Sequence, residues 1–300
     1  MKVINFGSLN IDYTYKVDHI LIGGETLSAF DRNVYCGGKG LNQSLALARA
    51  GIAVWHAGSI GRQDGQVLSD VLSASGVNLE YLKIIDNIPS GHTIIQVDQS
   101  GQNCILVYGG ANKMITREQI YQTLSNFSKN DYLVLQNEIN EIPYIMELAY
   151  KKGIKIILNP SPIDEKIRSL PLEYVDFFLV NEIEAAPLAE GNTDLELLDN
   201  LQIKYPNSHI VMTVGSRGAY YANQDTREYH DIFDVDVVDT TAAGDTFTGF
   251  FMAAFLEEKT PLECLRFASA ASALAVSRAG ASASIPLRKQ VINFLAKLSS

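Results

Sequence analysis

The stretch YLVLQNEINEIPYIMELAYKKGIKIIL, residues 132–158, decides the fold class of this chain. Tyr132–Leu135 is a short apolar run with strand composition. Ile142–Lys152 has helical composition and is closed by Gly153, the residue type that most easily takes a left-handed conformation at a helix end. Ile154–Leu158 is again a strand-like apolar run. Buried strands separated by helices imply a parallel sheet covered on both faces.

The alternation continues outward. Val3–Phe6 and Ala53–Ala57 read as strands, with a helix over Leu41–Ala50 between them that Gly51 closes. Asp64–Ser75 reads as a helix ending at Gly76, and Phe177–Val180, a helix from about Glu182 and Ile210–Val214 repeat the pattern. The last third is helical, over Ala243–Glu258, Pro261–Arg278 and Pro286–Leu298. The expected fold class is α/β, a three-layer domain with a mostly parallel central sheet flanked by helices.

Two stretches break the rhythm. Tyr13–Tyr35 and Gly91–Tyr108 are rich in strand and turn residues, and the second reads as a hairpin of Thr93–Val97 and Asn103–Val107. Such a small sheet exposes one apolar face, which needs a ligand, the main domain or a second subunit to cover it.

Composition narrows the partners. The 300 residues are 47% apolar and 19% charged, enough to bury a core, and the net charge is −10 with no Lys/Arg-rich run. Nucleic-acid binding through phosphate neutralisation is therefore not expected. An anionic ligand must be held by helix N-termini or a metal. No apolar stretch approaches the roughly 18 residues needed to span a membrane, and residues 1–7 read as a first strand rather than a signal peptide, so a cytoplasmic protein is expected. Cys36, Cys104 and Cys264 are scattered and show no metal-ligand spacing, and the five histidines form no H-x-x-x-H pair.

The chemistry concentrates at Asp239-Thr240-Thr241-Ala242-Ala243-Gly244-Asp245, directly before a long apolar helix. Small residues let a phosphate approach the backbone, and free N–H groups at a helix start attract anions. A carboxylate beside such a cradle suits deprotonation of a hydroxyl that attacks phosphorus. Spacing alone equally fits a capped helix start packed closely against its neighbours.

A resemblance adds to this reading. The segment is similar to the signature D-T-x-G-A-G-D of the ribokinase-like carbohydrate kinase family, with Ala242 in place of the first glycine, as in its ribose-phosphorylating members. Gly37-Gly38-Lys39-Gly40-Leu41-Asn42-Gln43 resembles the family's G-G-K-G-A-N-Q, and Gly7-Ser8-Leu9-Asn10-Ile11-Asp12 its G-S-x-N-x-D. The resemblance spans nearly the whole chain. It implies one Rossmann-like kinase domain over 1–300, with a small β-sheet lid formed by insertions at about 11–36 and 91–109.

The implied activity is ATP-dependent phosphorylation of the 5-hydroxyl of D-ribose. Alternatives are a nucleoside such as pseudouridine, another pentose or a ketohexose, and, in another class, a sugar-binding sensor without catalysis. The resemblance makes Asp245 the catalytic base and Ala242, Ala243 and Gly244 an anion hole. It assigns sugar binding to Asn10, Asp12, Gly38, Lys39, Asn42, Glu138 and Asp245. Nucleotide binding falls to Asn181, Thr213, Gly215, Ser216, Gly218, Gly244 and Ser269. Asn181 and Glu184 would organise Mg²⁺, and Asp239, Thr241, Ala275, Arg278, Gly280 and Ser284 a K⁺ ion. The expected assembly is a homodimer joined through the lids. The chain departs from the family at Ser269, where His or Asn is frequent, at Gly23-Gly24-Glu25 in place of P-G-E, and at Gly58–Gly65, which matches G-x-D-x-x-G only in part.

Overall fold

The structure, a computed structural model, describes residues 1–298. The chain runs β1 (Val3–Phe6), β2 (Asn10–Lys16), β3 (Asp31–Gly37), α1 (Lys39–Arg49), β4 (Val54–Gly61), α2 (Gln66–Ala74) and β5 (Asn78–Ile85). There follow β6 (Gly91–Val97), β7 (Asn103–Tyr108), α3 (Arg117–Leu124), β8 (Tyr132–Gln136), α4 (Ile142–Lys152), β9 (Lys155–Asn159) and β10 (Phe177–Asn181). The remainder is α5 (Glu182–Ala185), α6 (Asp194–Lys204), β11 (His209–Thr213), β12 (Ala219–Ala222), β13 (Arg227–His230), α7 (Ala243–Leu256), α8 (Pro261–Val276), α9 (Ala281–Ser284) and α10 (Arg288–Leu298).

Among the described residues, nine strands form one sheet in the order β13-β12-β11-β10-β9-β8-β1-β4-β5. All neighbours are parallel except the β11-β12-β13 meander at one edge. The period of two along each strand divides the core. Leu133, Leu135, Ile156, Leu158, Phe178 and Val180 pack on one face with α3 and α4. Val134, Ile157, Phe177, Leu179 and Val211 pack on the other with α1, α7 and α8. The expected three layers are present, and no helix among the described residues is long and apolar enough to cross a membrane.

A second sheet, in the order β3-β2-β6-β7, stands apart from the first. The expected hairpin is its antiparallel β6–β7 pair.

Helix ends follow the sequence signals. Gly153 ends α4 at φ 71°, and Thr260 with Glu263 forms a capping box that starts α8. One element differs from expectation. The helix starting at Glu182 stops at Ala185 and resumes only at Asp194, because Pro187 and Gly191 lie between. The edge strands β5 and β13 had no counterpart in the sequence reading. Both are half exposed, so neither shows the continuous apolar run of a buried strand.

Strand order reverses between β1 and β8, the two central neighbours from which the sheet grows in opposite directions. In open α/β sheets the crevice beyond the carboxyl ends at such a point receives ligands. The ends of β1, β8, β9, β10 and β11 lead directly to Ser8, Glu138, Asn159, Asn181 and Thr213.

Candidate active site

Helix α7 is apolar over most of its length and buries Phe247, Phe250 and Phe251, which fixes where its first turn lies. Ala242 precedes that turn at φ 61°, a left-handed conformation that costs a residue with a Cβ. This is the position where the family signature carries glycine. A Cβ on Gly244 would meet nothing within 4 Å, so open space lies in front of the first-turn amides. The Ala243 N–H is turned back toward the Thr240 carbonyl at 3.2 Å and must give up that bond to serve an anion.

Asp245 is buried in the same turn. Its Oδ2 accepts from Asn42 Nδ2 at 2.9 Å and its Oδ1 from Gln43 Nε2 at 3.0 Å. The two signature segments, far apart in sequence, thus meet at one carboxylate. Helix α1 reaches this place because Gly40 lies against the turn after β1, where a Cβ would come within 2.3 Å of Ser8 N. Gly38, at φ 92°, supplies the left-handed residue ahead of the helix.

The other predicted sugar contacts lie around this junction. Glu138 accepts from the Lys39 N–H at 2.9 Å and from the Ser8 hydroxyl. Asn10 Oδ1 accepts from Asn112 Nδ2 at 2.8 Å, and Asp12 Oδ1 from the Thr93 hydroxyl at 2.6 Å. Burial lifts the Asp12 carboxyl to about 6; the Thr93 bond opposes the rise and the Glu138 charge adds to it. A Cβ on Gly37 would fall 1.8 Å from Asp12 Oδ2, so glycine there leaves room for the carboxylate. Burial lowers the Lys39 ammonium, but Asp245, Glu138 and Glu184 together outweigh it and raise the pKa.

Two cavities meet at the start of α7. One, of about 210 Å³, is lined by Lys39, Asn159, Asn181, Glu184, Gly244 and Asp245 among others. The second, of about 440 Å³ and mostly apolar, is lined by Thr213, Gly215, Ser216, Gly218, Gly244 and Ser269 together with Phe233 and Val276. Thr213, Ala243 and Gly244 border both. The predicted nucleotide residues therefore fall into a polar chamber beside Asp245 and an apolar one beyond it. The Thr213–Gly218 segment is also the turn of the β11–β12 hairpin, with Gly215 and Gly218 at positive φ.

Asn181 and Glu184 form a capping box on α5. Glu184 N donates to Asn181 Oδ1 at 2.8 Å, and Asn181 N to Glu184 Oε2 at 3.1 Å. Of the predicted cation residues, Asp239, Thr241 and Gly280 come together. Asp239 Oδ1 accepts from the Thr241 N–H and hydroxyl at 2.9 and 2.6 Å, and Oδ2 from the Gly280 N–H at 2.9 Å. Burial pushes the Asp239 carboxyl up, but these bonds outweigh it and bring it below its usual value. The Ala275 carbonyl accepts from Arg278 N at 3.1 Å, and the Ser284 hydroxyl is buried against the Ala281 carbonyl at 2.8 Å.

Sequence reading missed Asn112, Thr93, Gln43 and Gln136 as parts of the site. Thr93 lies on a segment read only for its strand character, and Asn112 in a stretch beyond it that was given no reading. The signal for the glutamines was present: Gln43 follows Asn42 inside a signature, and Gln136 is a polar residue ending a buried strand.

A carboxylate at a helix start, small residues beside it, a lysine and a polar chamber opening to an apolar one are the parts of a phosphoryl-transfer site for a small polar molecule. The model of the pfkB family of carbohydrate kinases matches residues 1–288. Ribokinase of Haemophilus influenzae is 32% identical over 300 residues, covering 96% of both chains. The solved structure of Arabidopsis thaliana ribokinase with ribose and ATP superposes with a TM-score of 0.88 at 30% identity, covering 98% of each chain. Ribokinase of Thermotoga maritima gives a TM-score of 0.86 at 33% identity, covering 99% of each. The chain belongs to the pfkB family of carbohydrate kinases.

Proposed function

We propose that this protein is an ATP-dependent ribose kinase that phosphorylates the 5-hydroxyl of D-ribose. The observation that carries the reading is the meeting of Asn42 with Asp245, which lines the polar chamber, 2.9 Å apart. The ribokinases of similar sequence and structure, one solved with ribose and ATP, support the choice of sugar.

In this reading Asn10, Asp12, Gly38, Lys39, Asn42 and Glu138 hold the sugar hydroxyls, and Asp245 takes the proton of the attacking one. An O–P bond forms at the sugar oxygen, the bond from the γ-phosphorus to the β–γ bridging oxygen breaks, and ADP leaves. The amides of Ala242, just before α7, and of Ala243 and Gly244 in its first turn meet the charge of the transferring phosphoryl group. Thr213, Gly215, Ser216, Gly218 and Ser269 line the apolar chamber, which suits the nucleoside.

No cluster of three or more His, Cys, Asp or Glu side chains able to hold a metal occurs among the described residues. Asn181 and Glu184, which line the polar chamber, would hold a Mg²⁺ ion there. When bound, it neutralises phosphate charge. For K⁺, the support is the Asp239 carboxylate, which joins the segment before α7 to the loop at Gly280. Thr241, Ala275, Arg278 and Ser284 would complete that oxygen set.

The second sheet acts as a lid over the sugar, within a single domain. Its β7 strand is exposed from end to end, including Ile105, Leu106 and Val107, which suits pairing with a second copy. The unpaired Cys36, Cys104 and Cys264 fit a reducing compartment, the cytoplasm.

An ADP-release assay over a panel of sugars and nucleosides, with and without K⁺, tests this reading. D-ribose should give the highest kcat/KM. A higher value for a nucleoside or another sugar overturns the substrate, and no turnover with any member favours a sugar-binding sensor.

A further inference from the structure

Beneath Asp245 lies a set of side-chain amides, of which Asn5, Gln43 and Gln136 line neither chamber. Asn5 and Gln43 are fully buried and Gln136 nearly so. A chain of primary amides has a direction, because each presents donors at one end and an acceptor at the other. Here backbone carbonyls set that direction. Asn5 Nδ2 donates to the Gly40 carbonyl at 2.7 Å, which turns Asn5 Oδ1 toward Gln136. Gln136 Nε2 donates to Asn5 Oδ1 at 3.0 Å and to Gln43 Oε1 at 2.7 Å. With its oxygen engaged, Gln43 has only its NH₂ to turn toward Asp245 Oδ1, 3.0 Å away.

A second branch demands the same orientation. Asn159 Nδ2 donates to the Leu179 carbonyl at 2.9 Å and to Glu184 Oε2 at 3.2 Å. Its Oδ1 therefore faces Gln43 Nε2, at 3.3 Å. The cost falls on Gln136, whose Oε1 is buried without a partner. An unsatisfied buried carbonyl is unfavourable, and here it accompanies the use of both Gln136 N–H bonds for alignment.

We propose that Gln43 and Gln136 are positioning residues for Asp245: buried amides, locked in one orientation by the Gly40 and Leu179 carbonyls, that hold one carboxylate oxygen so that the other meets the sugar hydroxyl. A reversed Gln43 would set its carbonyl against the carboxylate. Asn159 extends the same network to Glu184, so the base and the residue facing the phosphates share one rigid support. The proposal rests on the reading of Asp245 as the base.

The test uses the full chain with Gln43→Met, Gln136→Met, the double variant and Asp245→Asn, measured for ADP release with D-ribose and for sugar binding by calorimetry. Gln43→Met should lower kcat by about tenfold or more while D-ribose affinity stays within about threefold. Gln136→Met should lower kcat less, and the double variant no further than Gln43→Met alone, because one residue acts through the other. If Gln43→Met does not fold, the same kcat-against-affinity split in Gln136→Met decides. Unchanged kcat, additive losses, or a loss of D-ribose binding in both single variants overturns the proposal. Full activity in Asp245→Asn instead overturns the base assignment, which separates the two failures.

Discussion

Asn42 donates to Asp245 at 2.9 Å across a separation of 203 residues. That bond joins the start of α1 to the start of α7, and neither helix could place a sugar hydroxyl and a phosphoryl group together on its own. Both helices begin where glycine or a strained alanine lets the backbone come close, so the meeting is built into the local conformation of each segment.

Asp12 should make the sugar-free protein pH-sensitive. Its carboxyl is lifted from 3.8 to about 6 in the fold, so the folded state holds its proton longer than the unfolded chain does. The contribution to stability is full below the unfolded value and is lost as pH rises through the folded one, a change of up to about 3 kcal/mol. Asp12→Asn should therefore gain stability relative to the parent between pH 4 and pH 7, read from urea unfolding at both. A difference that stays flat over that range contradicts the assignment. Sugar binding should run the other way and weaken in the parent below about pH 6, as the ionised acceptor is lost.

How much of this was legible in the sequence depends on what each residue does. The alternation around Tyr132–Leu158 and the glycines at Gly51, Gly76 and Gly153 carried the main sheet, because buried strands and helix ends leave local signals. The edge strands left none, since their register comes from neighbours already in place. Asp245 and the small residues before it were visible as a pattern. Gln43 stood inside a signature, but its part in supporting the carboxylate was not legible, because that depends on Gln136, Asn5 and Asn159 arriving from three further strands. Polar residues in a core acquire meaning only from contacts that the fold creates.

Ala242 should be a site of stored strain. Its φ of 61° costs an alanine roughly 1–2 kcal/mol, whereas glycine pays only the extra entropy of its unfolded chain, about 0.4–1 kcal/mol. Ala242→Gly should therefore stabilise the protein by up to about 1 kcal/mol, seen as a small rise in Tm. A clear drop in Tm would mean that the alanine methyl contributes packing that outweighs the strain.

The lid face should govern assembly. Val34, Ile94 and Leu106, 50%, 39% and 66% exposed, share one face of the second sheet through the registers Val34–Tyr13, Tyr13–Ile94 and Ile94–Leu106, too much adjoining apolar surface to explain as scattered residues. Light scattering at micromolar concentration should give the mass of a dimer for the parent and of a monomer for Leu106→Asp. A monomeric parent would refute pairing through this face.

The most direct measurement is turnover by Asp245→Asn with D-ribose, alongside calorimetric binding of the sugar. The exchange keeps the size and a hydrogen-bonding oxygen but removes the base. Sugar affinity should stay near that of the parent, and kcat should fall at least about a hundredfold, the lower range for general base catalysis. Turnover close to the parent's would contradict the central claim that the carboxylate beneath Asn42 takes the proton.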